Sequence, residues 1–444
     1  MKRLKIIMML LIAPILGMAQ EKLTLVKCLE LAKSNNKRIE AADFLLQSAK
    51  YEKKATLSHY FPTFSITGNG MYATTNGSLG IEGGMLPVFG TDGVPTGASA
   101  YFPGINLDYH IDGVYSAAVQ LQQPIFMGGK IISGHKMGKL GEEMASQSRR
   151  LTESEVIYET AQAYANVVRA SEMCKVATSY NNLLAELNNS VRKAFEKGAK
   201  SRNDILKIEV KLSESELNLR RAENALRLAT MNLCHYIGYP HTAQIAIDNS
   251  FEITQNEKVD ADVSLRPEAQ LLSKKSELMH QRVKMARSEM LPQLGLVAQY
   301  GYINGLKLNG NKLLNDWGFS VGIQLSIPIG NWTSHAKYRS AQMQYKQSQA
   351  EENEKLELME LEVRQAINNL DEAKLELRLA ETGCASATEN LRVSGSQYRV
   401  GKESLTDYLE AQTLWLQAEQ TLVDAKINQY LQWLDYKKKS GTLN

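Results

Sequence analysis

The chain has 444 residues, 43% of them hydrophobic, and its formal net charge is +3 at pH 7. This nearly balanced charge excludes the strong basic bias of most nucleic-acid-binding proteins, so we expect no nucleic-acid partner. Beyond the N-terminal segment there is no run of about 18 apolar residues, which excludes a helical membrane protein.

Residues 1–19 have the design of a secretory signal peptide. Basic residues among the first five precede an apolar core from 6 to 16, and small residues surround a cleavage point before Gln20. The core is too short to span a bilayer as a helix. We therefore expect residues 1–19 to be removed on export. No cysteine follows the cleavage point directly, so no N-terminal lipid anchor is predicted.

The mature chain begins with a helix followed by strands. Residues 22–60 lack glycine and space their apolar residues by three and four, which predicts a helix ending before Pro62. The next segment, about 63–73, begins to alternate between apolar and polar residues, as a strand does. Residues 74–112 are rich in glycine, threonine and proline and are interpreted as a long polar loop. Alternation returns in a second strand at about 115–124.

Two long helices follow, separated by one glycine. A helical pattern without proline covers 130–196, and about 67 residues of unbroken helix would reach ~100 Å. Gly198 interrupts the pattern, and a second helix is predicted over 202–237. That helix has the heptad spacing of a coiled-coil seam, with Ser215 as the one polar member. The apolar members are Ile205, Ile208, Leu212, Leu219, Ala222, Leu226, Ala229 and Leu233.

The same order of elements then restarts after a polar connector at 239–265. A helix ends before Pro292, strands are predicted at about 293–303 and 317–328, and two further long helices flank a tip at 400–404. The prolines at the strand junctions also correspond between the two halves.

We interpret the chain as an internal duplication, because large repeats decide an architecture before local motifs do. The first repeat is 20–238, with its tip at 197–202, and the second is 266–440. Residues 239–265 connect them, and 441–444 form a short tail.

The alternating strands are about ten residues long and apolar on one face only, which is typical of a transmembrane β-barrel. An ordinary half-buried sheet is the alternative, and the signal peptide favours the barrel. Four strands cannot close a barrel in lipid, so several copies of the chain must complete it. The aromatic residues expected at the lipid-facing or interfacial positions are Tyr115, Tyr300, Tyr302, Trp317 and Phe319.

Both tips share the pattern aromatic-x-x-Gly-x-x-Ser-x-x-Asp-x-Leu. It occurs in "FEKGAKSRNDILKIE" from Phe195 and in "YRVGKESLTDYLEAQ" from Tyr398. A helical hairpin needs such residues whatever it does, because glycine accepts the left-handed conformation after a helix and serine caps the next helix.

The duplicated plan, the paired tips and the helix-proline-strand junctions resemble the TolC family of outer-membrane efflux and secretion channels. The resemblance covers essentially the whole mature chain. It implies a homotrimer with a twelve-stranded β-barrel in outer-membrane lipid and an α-barrel of helical hairpins in the periplasm. The expected fold class is therefore mainly α with a β-barrel part, four transmembrane strands coming from each chain.

The resemblance also implies a function and partners. The protein would be the passive exit duct of a tripartite efflux pump or a type I secretion system in a Gram-negative bacterium. Its partners would be a periplasmic adaptor, or membrane fusion protein, and an inner-membrane pump of the RND, ABC or MFS type.

Residue roles follow from the resemblance at the tips. Asp407 and Glu410 match acidic positions at the narrowest point of a periplasmic iris, and Tyr398 and Asp204 match a network that ties hairpins shut. The adaptor-docking tips would comprise Lys197, Gly198, Ser201, Val400, Gly401 and Ser404.

One position departs from the family pattern. The family often has an arginine two residues after the second tip glycine, where this chain has Glu403. We hypothesise a reversed polarity in which Glu403 pairs with Arg202 or Lys200 of an adjacent hairpin. The alternative is a solvated surface charge.

No other chemistry is indicated. Seven histidines are scattered without metal-ligand spacing, and nucleotide-binding and serine-hydrolase motifs are missing, so no enzyme, cofactor or metal is expected. The four cysteines lack a CxxC pair, and burial as small residues is favoured over disulfides. A periplasmic structural or adaptor coiled coil is the alternative function.

Overall fold

The computed structural model describes residues 22–72, 74–243, 245–248, 262–329 and 332–443. The predicted signal peptide, and residues 249–261 of the predicted connector, lie outside the described residues. Within them, no helix is both long and apolar enough to cross a membrane.

Seven α-helices account for most of the described chain. The predicted ranges 130–196 and 202–237 are the observed ranges of α3 and α4. A short 3-10 helix, Val263–Leu265, precedes α5. The helices are α1 Leu25–Asn35, α2 Lys37–Ser58, α3 Lys130–Glu196, α4 Arg202–Ile237, α5 Pro267–Ser288, α6 Trp332–Arg399 and α7 Leu405–Lys439.

In the part of the chain that the structure describes, seven strands lie between the helices, five before α3 and two after α5. The main sheet is antiparallel with the order β1-β5-β6-β7, and β2 also pairs with β5; β3 and β4 form a separate hairpin. The strands are β1 Thr63–Met71, β2 Thr75–Ile81, β3 Gly84–Phe89, β4 Pro95–Phe102, β5 Ile105–Phe126, β6 Gln293–Leu308 and β7 Asn311–Ser326.

The chain divides into two compact units, each of which takes residues from both predicted repeats. Unit 1 is formed by the described parts of 1–48, 142–275 and 349–444, and unit 2 by those of 49–141 and 276–348. Unit 2 contains the strands, and unit 1 contains both hairpin tips.

The prediction of one helix over 22–60 was wrong at Asn36, where the backbone is extended and separates α1 from α2. The Asn36 side chain accepts a hydrogen bond from the Arg38 N–H at 2.9 Å and donates one to the Tyr236 carbonyl at 3.1 Å. These bonds replace helical ones, because asparagine competes well for nearby backbone groups. The break therefore attaches α1 to the end of α4.

The prediction of a long polar loop at 74–112 was also wrong. This segment contains β2, β3, β4 and the first residues of β5. Its glycines, and Pro87 within β3, obscure the alternation on which a strand prediction depends. Gly113, with φ of 122°, lies in the irregular register between Ile111 and Tyr115, where β5 continues into the predicted strand.

The core of unit 1 contains residues of α1, α3, α4 and α7, among them Tyr164, Leu233 and Tyr430. All four cysteines are free, and Cys28, Cys234 and Cys384 are buried, as favoured from the sequence. Burial raises the pKa of Cys28 to about 11, with a further contribution from Cys234. These thiols therefore stay protonated at neutral pH and act as small core residues.

Candidate functional site

The first tip turns sharply after α3. Gly198 has φ of 74°, in the left-handed region. The N–H groups of Gly198 and Ala199 donate to the carbonyls of Phe195 and Ala194, both at 2.8 Å. This pair of bonds is a Schellman motif, which satisfies carbonyls left free at a helix end.

The second tip repeats the motif after α6. Gly401 has φ of 76°, and its N–H donates to the Tyr398 carbonyl at 3.1 Å. The Lys402 N–H donates to the Gln397 carbonyl at 2.9 Å. The two halves of the chain thus share backbone geometry as well as residue types at the tips.

A capping box then starts the second helix of each hairpin. Ser201 Oγ accepts from the Asp204 N–H at 3.1 Å, and Asp204 Oδ2 accepts from the Ser201 N–H at 3.0 Å. Ser404 and Asp407 make the same pair of bonds at 3.2 Å and 3.4 Å. Each box satisfies backbone donors at a helix start. The serine and aspartate of the repeated motif therefore have a structural role in both hairpins.

The Asp204 carboxylate is held in its charged form. Hydrogen bonds from the Ser201 backbone and hydroxyl lower the pKa of Asp204, and the positive charges of Lys200 and Lys207 lower it further. A depressed pKa in the folded state means that the stabilisation is present above the unfolded pKa. It is lost as pH falls through the folded one.

The two hairpins pack against each other near their tips. A buried cluster contains Leu184 and Val191 of α3, Ile208 of α4, and Leu405 and Leu409 of α7. The contact also has a polar component, since Lys207 Nζ donates to Thr406 Oγ1 at 3.2 Å. The tips of one chain therefore form one packed structure.

Tyr398 lies in this structure and contacts a second tyrosine and a lysine. Its ring stacks on that of Tyr408, with centroids 5.1 Å apart, and Lys200 Nζ lies 4.6 Å from the Tyr398 ring centroid. Such a cation–π contact is worth roughly 0.5–1 kcal/mol at an exposed site. In the described chain, no hydrogen bond joins Tyr398 to Asp204, whose carboxylate bonds to Ser201 instead.

Glu403 is an acidic tip residue with an unsatisfied carboxylate oxygen. Its Oε2 atom is buried and has no hydrogen-bond partner. Arg202 is exposed, and among the described residues no ion pair joins Glu403 to Arg202 or Lys200. A buried carboxylate oxygen without a partner is costly, so a donor from outside the chain would be favourable at this position.

The remaining predicted tip residues are accessible. Val400 is 69% exposed, although it is apolar. The iris candidates Asp407 and Glu410 lie three residues apart on α7 and are both exposed. The other exposed tip residues are Lys197, Gly198, Ser201, Gly401 and Ser404.

Three residues of the tip region were missed by sequence reasoning: Lys207, Tyr408 and Gln412. Gln412 is fully buried, and neither its amide nitrogen nor its amide oxygen has a partner. It lies seven residues after the buried Leu405, so a heptad analysis of α7 would have found it.

The main sheet of unit 2 has one apolar face that crosses all four strands. The register aligns Ile66, Val119, Tyr300 and Phe319 in one row. Each of these side chains is at least 47% exposed. An adjoining row contains Gly68, Ala117, Tyr302 and Trp317. A single chain therefore exposes an apolar surface that a soluble sheet would cover.

The opposite face is polar. Ser65, Gln120, Gln299 and Ser320 form one row across the same strands. Small residues fill the neighbouring row, which contains Thr67, Ala118, Gly301 and Gly318. Apolar-out and polar-in alternation is the pattern of strands between lipid and a water-filled interior.

Predicted aromatic residues gather on the apolar face. The rings of Tyr300 and Trp317 stack with centroids 5.3 Å apart. The ring centroid of Tyr302 lies 5.7 Å from that of Trp317. Phe319 is 71% exposed and Tyr115 is 58% exposed. Exposed aromatic clusters of this kind are typical of membrane–water interfaces.

Comparison with known protein families accounts for both the hairpin tips of unit 1 and the apolar and polar faces of the sheet in unit 2. The family model described as outer membrane efflux protein matches residues 28–239 and 269–436, most of the chain and both repeats. The chain belongs to the outer membrane efflux protein family.

Curated relatives of this efflux family include secretion and TolC proteins. The chain is 23% identical over 341 residues to the proteases secretion protein PrtF of Dickeya chrysanthemi, covering 74% of this chain and 73% of PrtF. It is 25% identical over 356 residues to the outer membrane protein TolC of Escherichia coli, covering 74% and 70%.

A solved outer membrane channel has the same fold as this chain. The Campylobacter jejuni CmeC outer membrane channel superposes with a TM-score of 0.75 at 20% identity, covering 95% of this chain and 86% of CmeC. The expectation of a mainly helical chain with a barrel-forming sheet is thus confirmed.

As a member of the efflux family, the protein is an outer-membrane exit duct for efflux or secretion, located in a Gram-negative outer membrane and extending into the periplasm. The family and its fold are those of channels rather than enzymes. The alternative of a periplasmic adaptor coiled coil was therefore wrong. Channels of this family work as trimers with adaptor and pump partners.

Proposed function

We propose that three copies of this chain close a twelve-stranded barrel in outer-membrane lipid and conduct cargo passively from a pump–adaptor complex. The observation that carries the proposal is the main sheet. Its apolar face is exposed, and in the described chain β1 and β7 each have a strand on one side only. Unpaired edges are not tolerated in lipid, so neighbouring copies pair them.

The hairpin tips of unit 1 form the periplasmic closure in this proposal. Asp407 and Glu410 from three copies would surround the opening with six carboxylates, which favours cations and resists anions. Their exposure in a single chain supports this role, because a ring must face the passage. The capping boxes hold the start of α7, and with it the acidic side chains, in place.

Contacts between copies would involve Glu403. Its buried and unpartnered Oε2 atom supports a bond to Arg202 or Lys200 of a neighbouring copy. Arg202 is exposed and available for such a contact. The polarity of this part of the closure would then be opposite to that expected from the family.

Adaptor docking is assigned to the outermost tip residues. Lys197 and Val400 are exposed next to Schellman turns, whose backbone hydrogen bonds fix the shape of each tip. One relative is named as a protease secretion protein, and the matching family model is described as outer membrane efflux protein, so both polypeptides and small molecules are proposed cargo classes.

The assembly is tested by the mass of the purified protein. We expect it to require detergent for extraction and to give the mass of three chains by native mass spectrometry. Replacing Phe319 with aspartate should hinder stable insertion, because a charge on the lipid face of a membrane barrel is destabilising. Replacing Ser320, its neighbour on the polar face, with aspartate is the matched control. A water-soluble monomer would contradict the proposal.

A further inference from the structure

A groove in unit 2 lies where α2, α3 and α5 meet the sheet. Its volume is about 650 Å³, within the range of sites that hold drug-sized molecules. Methionine thioethers and other apolar side chains form much of its wall. The apolar lining consists of Pro124, Met127, Ile131, Met137, Leu278 and Met285.

The groove opens on the polar face of the sheet. It shares Pro124 and Met127 with an adjoining cavity of about 290 Å³. That cavity is lined by Gln122, Gln324 and Ser326, which alternate along their strands with the apolar-face residues. Since the polar face of a membrane barrel is its interior, the groove faces the lumen.

Glycines in α3 keep the groove open. Glycine within a helix costs about 1 kcal/mol relative to alanine, so its presence calls for a reason. Gly138 has a packing reason, because a Cβ atom there would lie 2.6 Å from Thr56 Oγ1. Gly141 has none, since a Cβ atom there would meet nothing within 4 Å. Its missing side chain leaves space in the groove.

The charged lining residues favour an anion. Lys130 and Arg282 are exposed, and the ion pairs of the described chain include neither of them. Glu52 is the one carboxylate of the lining, so the formal charge without His59 is +1. Methionine side chains adapt to varied apolar shapes, which suits a site without narrow shape selection.

We propose that this groove is a luminal binding site for drug-sized amphipathic anions, which have an apolar body and a carboxylate or sulfonate group. The apolar body would lie on the methionines, and the acid group would bind between Lys130 and Arg282. The inference rests on the proposed channel, because the lumen exists only in the assembled barrel.

The test compares two probes with the same ring system. One is 8-anilinonaphthalene-1-sulfonate, and the other is N-phenyl-1-naphthylamine, which lacks the sulfonate. Single-channel current is recorded in planar bilayers while each probe is added in turn. We expect the sulfonate to produce concentration-dependent block and the neutral probe to block about tenfold more weakly, since a charge-assisted contact is missing.

Variants assign the block to the groove. Lys130→Gln with Arg282→Gln should raise the blocking concentration of the sulfonate about tenfold, and Glu52→Gln should lower it. Gly141→Leu should abolish block by both probes, because leucine occupies the space. Arg339→Gln is the control for lost positive charge, since Arg339 is exposed on α6 and does not line the groove.

The outcomes separate the site from the channel. Conducting channels without sulfonate block, or with block unchanged in Gly141→Leu, overturn the binding site and leave the proposed function intact. Equal block by both probes overturns the anion preference. Protein that does not conduct at all contradicts the proposed function, on which this site depends.

Discussion

At the residue scale, the repeated tip motif ends one helix with a glycine and caps the next helix with a serine. Gly198 and Gly401 provide left-handed turns, and Ser201 and Ser404 cap the following helices, as their spacing predicted. These roles follow from local chemistry and were predictable. The environment of Tyr398 was not, because its contacts with Tyr408 and Lys200 depend on how the hairpin tips pack.

Glu403 gives the clearest prediction at this scale. Glu403→Arg should raise the resting conductance of the channel in planar bilayers, because the buried Oε2 atom would no longer attract a neighbouring cation. The charge swap Glu403→Arg with Arg202→Glu should return conductance towards that of the wild type. Unchanged conductance in the single variant would contradict the pairing of Glu403 with a neighbouring copy.

At the element scale, helix ends were predictable where capping residues mark them. The predicted ranges of α3 and α4 match because glycine and serine define the turn between them. Asn36 was missed because its partner, the Tyr236 carbonyl, lies 200 residues away in the sequence. The strands within 74–112 were missed because glycine and proline hide alternation, and their pairing with β5 is decided by tertiary contacts.

Helices α4 and α7 each have a buried polar residue, and the two residues differ in whether they have a hydrogen-bond partner. Ser215 in α4 is satisfied, since its hydroxyl donates to Asn181 Oδ1 at 2.7 Å. Gln412 in α7 is not, and leaving a buried polar group without a partner costs roughly 1–3 kcal/mol. We infer that Gln412 weakens the closed packing of α7 near its tip.

Gln412→Leu should therefore raise the apparent Tm of the purified assembly and lower its frequency of spontaneous opening. Leucine has a similar volume and no polar group to satisfy. Thermal unfolding followed by circular dichroism measures the first effect, and bilayer recording the second. Gln417→Leu is the matched control on the exposed face of α7, where little change is expected. A lower Tm for Gln412→Leu would indicate that the amide has a partner in the assembly.

At the scale of the whole molecule, the sequence predicted the fold class, because the fold class depends on the order of elements. The internal duplication stays a prediction. The sequence did not predict the division into units, since each compact unit combines residues from both repeats. The sequence did not predict the groove of unit 2 either, because the lining of this groove comes from α2, α3 and α5 and from the strand junction at Pro124.

The whole molecule is proposed to be a channel closed by acidic residues at its hairpin tips. Ion selectivity in planar bilayers under a potassium chloride gradient tests this proposal most directly. Asp407→Asn with Glu410→Gln removes both charges and keeps hydrogen-bonding groups at the cap. Glu196→Gln is the control for a lost negative charge, because Glu196 is exposed at the end of α3 beside the first tip and is not among the residues assigned to the closure.

The wild type and the Glu196→Gln control should give small, cation-selective openings. The Asp407→Asn/Glu410→Gln variant should give larger openings with weaker cation selectivity, since the carboxylates no longer surround the passage. If the double variant keeps the selectivity of the wild type, the acidic closure is contradicted.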